Sequence, residues 1–182
     1  MHKVLTALGI LSAGILQAAE MTITVAGQAN GKIIIDLLEE IAPLHVERIS
    51  RLANDGAYDN VVFHRVIDGF MAQTGDVEFG IAEKDLSKAG YGASSLPDLP
   101  AEFSDVPYDR GIVGMARSQS PDSANSQFFI MFDAGYFLNG QYTVVGRVVS
   151  GMEVVDAIKR GRGSNGAVTG APDVMTTVRV TP

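Results

Sequence analysis

The chain has no cysteine and no tryptophan, and only three histidines. Without thiols there is no disulfide, no thiolate nucleophile, no iron–sulfur cluster and no thiolate-bound zinc. With His2 at the amino terminus, His45 and His64 are too few for a three-histidine metal centre. Positive charge is scarce as well. Fourteen Lys and Arg against 21 Asp and Glu leave a formal charge of −7 and a pI near 4.8, the wrong sign for a dedicated binder of nucleic acid or anionic membrane. What the 182 residues do supply is 46% hydrophobic and 19% charged content. That fits one globular domain, able to bury roughly two thirds of its unfolded surface without staples or a structural metal.

Residues 1–20 read MHKVLTALGILSAGILQAAE. A basic start at His2 and Lys3, an apolar run from Val4 to Leu16, and Ala18 and Ala19 before Glu20 have the layout of a secretory signal peptide cut after Ala18 or Ala19. A buried amino-terminal helix and a membrane anchor are the competing readings, but the apolar run is shorter than the roughly 18 residues that a span requires. A lipid anchor would need a Cys at the cut. The expectation is therefore removal of residues 1–19 and a freely soluble domain of residues 20–182, periplasmic or secreted, without a stable membrane anchor. Translation from Met21 would instead leave that domain in the cytoplasm. The lack of Cys suits an oxidising compartment, where no thiol can mispair.

Thr22–Ala26 and Lys32–Asp36, on either side of Asn30-Gly31, predict a β-hairpin. Pro43 opens a segment whose apolar residues Leu44, Val46, Ile49, Leu52 and Ala53 recur at helical spacing, with Gly56 as its terminator. Val61–Gly75 reads as two short strands about an Asp68-Gly69 turn. Residues 77–110 hold six glycines and prolines without periodicity, apart from a helical turn near Ala82–Lys88. A connection of this length reads either as a functional rim or as a decorative insertion. Strand-like runs resume at 111–116, 127–132 and 142–149, and a second helical stripe of Met152, Val155 and Ile158 follows Gly151. Met175–Val180 offers a closing strand for the first hairpin. Many short strands, two helices and no regular βαβ alternation argue for a mainly β fold: an antiparallel sheet closed on itself, with a helix over each open end, because closure removes exposed edges.

Common catalytic patterns are missing. No Gly-x-Ser-x-Gly elbow accompanies His64 and Asp76, and Glu39-Glu40 and Asp98 with Glu102 read as surface charge rather than as a glycosidase pair. Gly161–Gly166 lacks the Lys of a phosphate loop and reads as a flexible glycine loop, with anion binding as the alternative. The informative stretch is FHRVIDGFMAQTGD from Phe63, because an Arg in so apolar a strand region must find water or hydrogen-bonding partners. Alternation places Phe63, Arg65 and Ile67 on one side of their strand, and Met71 and Gln73 together on one side of the next, so Arg65 and Gln73 form a polar edge to an apolar floor. In GMARSQSPDSANSQFFI from Gly114, Phe128 and Phe129 must face opposite ways: one feeds the core, and the other lines a concave site with Phe137, Leu138 and Tyr142.

These two blocks, followed by FLNGQYTVVGRVVSGMEVVDAI from Phe137, resemble the cyclophilin family of peptidyl-prolyl cis/trans isomerases, and the resemblance covers nearly all of residues 22–181. It implies a closed eight-stranded antiparallel barrel capped by two α-helices, with a peptide groove on the outside. It also implies an isomerase that needs no cofactor or metal and acts on X-Pro bonds of exported or folding polypeptides. The alternative is a proline-peptide-binding or assembly module with little catalysis. Carried onto matching positions, Arg65 resembles the catalytic arginine and Gln73 the glutamine that steadies it. Phe70, Met71, Phe129 and Leu138 resemble the walls of the proline pocket, and Gln127 a second glutamine beside the peptide. Ala116 and Arg117 stand in the segment that meets residues before proline. Arg117 occupies a position where many eukaryotic relatives have Asn, Phe137 one often held by Trp, and Tyr142 one often held by His. Losing the Trp indole donor implies weak binding of the cyclic peptide inhibitor cyclosporin. The expected state is a monomer.

Overall fold

The structure, a computed structural model, describes residues 19–182, so all but the last residue of the expected signal peptide lies outside the described residues. β1 (Glu20–Ala26) and β2 (Gly31–Leu37) form the antiparallel hairpin, with Glu20 opposite Asp36 and Val25 opposite Gly31. Asn30 Nδ2 donates to the Gly27 carbonyl at 2.8 Å across its loop. α1 (Pro43–Asn54) follows with Pro at its start, and its stripe of Val46, Ile49, Leu52 and Ala53 is buried, while Leu44 is exposed. No side chain of its own caps it. The Glu102 carboxylate does so from 57 residues away, accepting the Leu44 and His45 N–H groups at 3.2 and 3.0 Å, where the helix dipole also favours an anion. Gly56 ends the helix with a left-handed φ of 74°.

The Asp68-Gly69 turn joins β4 (Arg65–Ile67) to β5 (Met71–Thr74), preceded by β3 (Val61–Val62). No helix forms near Ala82–Lys88, where the chain makes only turns. β6 (Ile112–Met115), β7 (Phe128–Met131) and β8 (Val144–Ser150) come next, with a 3-10 turn over Tyr136–Leu138. α2 (Met152–Ala157) leads to β9 (Val174–Thr181), which pairs with β1 of the first hairpin. No helix among the described residues is long and apolar enough to cross a membrane.

The expected closed eight-stranded barrel is not what forms. The strands make one antiparallel nine-stranded sheet in the order β3-β9-β1-β2-β8-β6-β7-β5-β4, an open half-barrel with two α-helices. The physical reason lies at Phe63-His64. The run 61–67 leaves strand geometry at these two residues and splits into β3 and β4, which become the two edges of the sheet. Being consecutive in the chain, the edges turn to other partners. Val62 N–H donates to Gly80 O at 2.8 Å on one edge; Val66 N–H donates to Gly166 O at 2.7 Å, and its carbonyl accepts from Gly161 N–H at 2.9 Å, on the other. Loops, not a ninth ladder, satisfy the edges. The same break reverses one side-chain assignment: Phe63 packs in the interior with Val66 instead of sharing a face with Arg65 and Ile67.

Two apolar clusters occupy opposite faces of the sheet. Ala72, Val113, Phe128, Ile130 and Val145 belong to the interior, and their neighbours Met71, Ile112, Phe129, Met131 and Val144 to a second cluster on the outer face. Phe128 and Phe129 thus face opposite ways, as alternation requires.

His64, at the break, is buried, and neither ring nitrogen has a hydrogen-bond partner among the described residues. Burial lowers its pKa from 6.5 to about 4, with the neighbouring Arg65 charge adding to the shift and Asp76 opposing it. The unfolded chain therefore binds a proton that the folded chain refuses between pH 6.5 and 4. The stability from neutral His64 is complete above pH 6.5 and is lost as pH falls toward 4, on the order of 3 kcal/mol in all. Urea midpoints from pH 7 to pH 4 should fall more steeply for the wild type than for a folded His64→Gln variant; parallel profiles would remove His64 from the acid response.

Candidate active site

Arg65 and Gln73 are register partners across β4 and β5, and Ile67 lies opposite Met71, so all four side chains project from the outer face. On its other side β5 pairs with β7, with Gln73 opposite Phe129 and Met71 opposite Met131. Three consecutive strands thereby bring a cation, an amide, a thioether and an aromatic ring to one patch. Arg65 Nη1 donates to Gln73 Oε1 at 3.0 Å and lies 3.9 Å from Met71 Sδ, and Arg65 Nε donates to the Asn165 carbonyl at 2.9 Å. Half-burial lowers the arginine's pKa, opposed by Tyr142. A guanidinium starts so far above neutrality that it keeps its charge.

Ten of the eleven expected residues line one concavity of about 260 Å³: Arg65, Phe70, Met71, Gln73, Ala116, Arg117, Phe129, Phe137, Leu138 and Tyr142. Gln127 lines the adjoining hollow of about 320 Å³, which shares Gln73, Ala116 and Arg117 with the first. Its amide joins the same polar set, accepting from Gln73 Nε2 at 2.9 Å and donating to the carbonyls of Gly90 and Gly92 at 3.0 and 2.8 Å.

The apolar wall is built from behind. Tyr108 stacks on Phe129 with ring centres 5.8 Å apart, which is possible because Gly114, opposite Phe129 in β6, has no side chain; a Cβ there would lie 2.6 Å from Phe129 Cζ. Tyr142 meets the same ring edge-on at 6.0 Å, and Phe137, 68% exposed, tilts over Phe70 at 5.4 Å to form the rim. The Arg117 guanidinium lies 4.3 Å from the centre of the Tyr142 ring and donates to the carbonyls of Gln141, Ser118 and Gln119.

Four residues that shape the site escaped sequence reasoning. Asn165 reaches Arg65 from the glycine-rich 161–166 loop, read from sequence as flexible or anion-binding, and it acts through a backbone carbonyl that no side-chain pattern announces. Tyr108 lies within the irregular 77–110 segment, where only its bulk marks it. Gly90 and Gly92 act by their carbonyls, and a glycine pair in a loop reads only as a turn. Glu102 caps α1 and Asp98 accepts from Asn125 Nδ2 at 2.8 Å, so both carboxylates have local work. Among the described residues no three His, Asp or Glu side chains converge on a metal-sized site.

The family model described as cyclophilin type peptidyl-prolyl cis-trans isomerase/CLD matches residues 20–180. A protein of Brucella suis biovar 1 (strain 1330), named probable peptidyl-prolyl cis-trans isomerase, is 62% identical over 142 residues, covering 76% of this chain and 72% of its own. Peptidyl-prolyl cis-trans isomerase B of Escherichia coli (strain K12) is 38% identical over 138 residues, covering 71% and 79%. Among solved structures, a Cryptosporidium parvum cyclophilin type peptidyl-prolyl cis-trans isomerase crystallised in the presence of the dipeptide Ala-Pro superposes with a TM-score of 0.74 at 24% identity, over 90% of this chain and 99% of that one. A cyclophilin from Hirschia baltica gives 0.70 at 24% identity, over 87% and 72%. At that identity the two structures speak for the fold. The match along nearly the whole described chain, with the close identity to the Brucella protein, places this protein in the cyclophilin type peptidyl-prolyl cis-trans isomerase family.

Proposed function

We propose that the chain catalyses cis/trans isomerisation of X-Pro bonds in exported or folding polypeptides, with Arg65 as the catalytic donor. The observation that carries this reading is a guanidinium held by Gln73 and the Asn165 carbonyl at the edge of a concavity of about 260 Å³ walled by Phe70, Met71, Phe129 and Leu138. Arg65 Nη2 has no hydrogen-bond partner among the described residues, which leaves its N–H groups for a substrate.

Rotation about an amide makes and breaks no σ-bond. It is slow because resonance keeps the bond planar, at a barrier of about 20 kcal/mol. In the planar forms the proline nitrogen lone pair is shared with the carbonyl. In the twisted transition state it is localised on nitrogen and can accept a hydrogen bond from Arg65. A donor that meets this lone pair only when the bond is twisted lowers the barrier, whereas equal grip on both planar forms would not. Phe70, Met71, Phe129 and Leu138 anchor the ring, the backbone around Ala116 and Arg117 holds the residues before it, and the carbonyl side turns. The Arg65 charge persists at any ordinary pH, so the chemistry requires no titrating group.

Arg65→Ala should lower kcat/KM about a hundredfold in a proline-peptide exchange assay, with the circular dichroism spectrum unchanged. A folded variant with near wild-type turnover would overturn the assignment, and wild-type protein that binds such peptides without accelerating exchange would favour the binding-module reading. Phe137→Trp restores an indole donor at the rim and should tighten cyclosporin binding about tenfold or more while changing isomerase activity little; calorimetric titration of both proteins checks this. For localisation we propose export with cleavage after Ala18 or Ala19. Amino-terminal sequencing of protein recovered from its native compartment should begin at Ala19 or Glu20, and a start at Met21 in cytoplasmic protein would reverse the assignment.

A further inference from the structure

We propose that Asp76 is a positioning residue for the isomerase reaction: it holds the 78–92 rim so that Gly90 and Gly92 fix Gln127, which through Gln73 fixes the guanidinium of Arg65. The inference rests on the reading of Arg65 as the catalytic donor.

Asp76 follows β5 directly after Gly75 and is fully buried, yet it makes no ion pair among the described residues. Its carboxylate is spent on backbone instead. Oδ1 accepts from the N–H groups of Glu78 and Phe79 at 3.1 and 2.8 Å, and Oδ2 from those of Gly90 and Gly92 at 2.7 and 3.0 Å. The first pair turns the chain as it leaves the sheet; the second draws back a segment 14 to 16 residues further on. The wrapping leaves no room for side chains: a Cβ at Gly92 would collide with Asp76 Oδ1, and one at Gly80 would lie 2.6 Å from the Asp76 carbonyl oxygen.

The directions of the hydrogen bonds give this clamp a consequence at the site. A carboxylate only accepts, so it orients N–H groups of the rim inward and leaves the carbonyls of the same two glycines for Gln127. Both of those bonds use Gln127 Nε2, at 3.0 and 2.8 Å, so its Oε1 is left to accept from Gln73 Nε2 at 2.9 Å. Gln73 Oε1 is then the atom that faces Arg65 Nη1, at 3.0 Å. A side-chain amide can flip end for end; this one cannot flip without setting donor against donor somewhere along the relay. If the rim moved away, Gln127 could turn its NH2 toward Gln73, and Gln73 in turn could present NH2 to a guanidinium that has only donors. The 78–92 segment is thereby a functional rim rather than an insertion, and Asp76 is the group that makes it one.

Asp76→Asn keeps the shape but puts an NH2 against two of the four N–H groups. In the proline-peptide exchange assay it should lower kcat about tenfold with KM changed little, since misplacement of the donor is felt in the twisted state. In an Arg65→Lys background the same substitution should change the remaining rate by less than about twofold, because a residue that acts through Arg65 has nothing left to position. Wild-type kcat in Asp76→Asn, or a full additional loss in the Arg65→Lys background, would overturn the proposal. If Asp76→Asn does not unfold cooperatively, Gln127→Met cuts the relay beyond the buried carboxylate and should show the same lack of additivity; a kcat within about twofold of wild type would overturn it. Inactive wild-type protein, or Arg65→Lys as fast as wild type, would instead defeat the reading of Arg65, and this proposal with it.

Discussion

Every residue of β7 is buried, and the two-residue period of a strand decides which of two cores each one serves. Phe128 and Ile130 close the interior, and Phe129 and Met131 found the outer cluster. The site exists because that outer face is apolar enough to be built upon. β5 lays Met71 and Gln73 beside β7, β4 lays Arg65 beside β5, and β6 supplies the gap at Gly114 through which Tyr108 supports the Phe129 ring. The concavity is thus attached to the sheet's own register. Moving β5 by one residue would turn Met71 and Gln73 inward and present Ala72 to the groove.

An arginine on such a face is the electrostatic difficulty of the design. Half-buried among apolar side chains, it would lose hydration without compensation were it not hydrogen-bonded. The compensation comes from neutral acceptors, the Gln73 amide and the Asn165 carbonyl. A carboxylate partner would hold the guanidinium more tightly and would also neutralise it, weakening it as a donor to anything that enters the concavity. Neutral acceptors orient the group and leave its charge unspent. Asp76, a buried carboxylate just beyond β5, is turned onto backbone N–H groups instead.

Much of this was legible in the sequence because alternation and helical spacing are direct records of burial. The 61–75 block announced a strand pair with Arg65 and Gln73 on one face, the α1 stripe announced its buried side, and the family blocks named ten residues that line one concavity. What escaped is what backbone geometry alone decides. The break at Phe63-His64 occurs inside a run rich in β-branched and aromatic residues with no Gly or Pro, so composition gave no hint that the ladder would open there or that Phe63 would turn inward. The cap on α1 comes from Glu102, and the Asn165 carbonyl reaches Arg65 across 100 residues; local patterns do not record partners at such separations.

Two of the three positions read from sequence as departures from the commoner family pattern, Arg117 and Tyr142, become one feature in three dimensions. Arg117 and Tyr142, read separately, each replace a smaller or more polar residue, and a basic residue beside the groove suggests a new charge preference. The structure puts them against each other. The guanidinium lies over the Tyr142 ring, and its N–H groups are taken by the carbonyls of Gln141, Ser118 and Gln119. Its donors are therefore engaged in tying the 117–119 loop to the 141–142 loop, and much of its field falls on those carbonyls. Tyr142 in turn meets Phe129 edge-on, so the tie extends into the wall of the concavity. A long cation and a phenol together thus join the 117–119 loop, the 141–142 loop and the Phe129 ring.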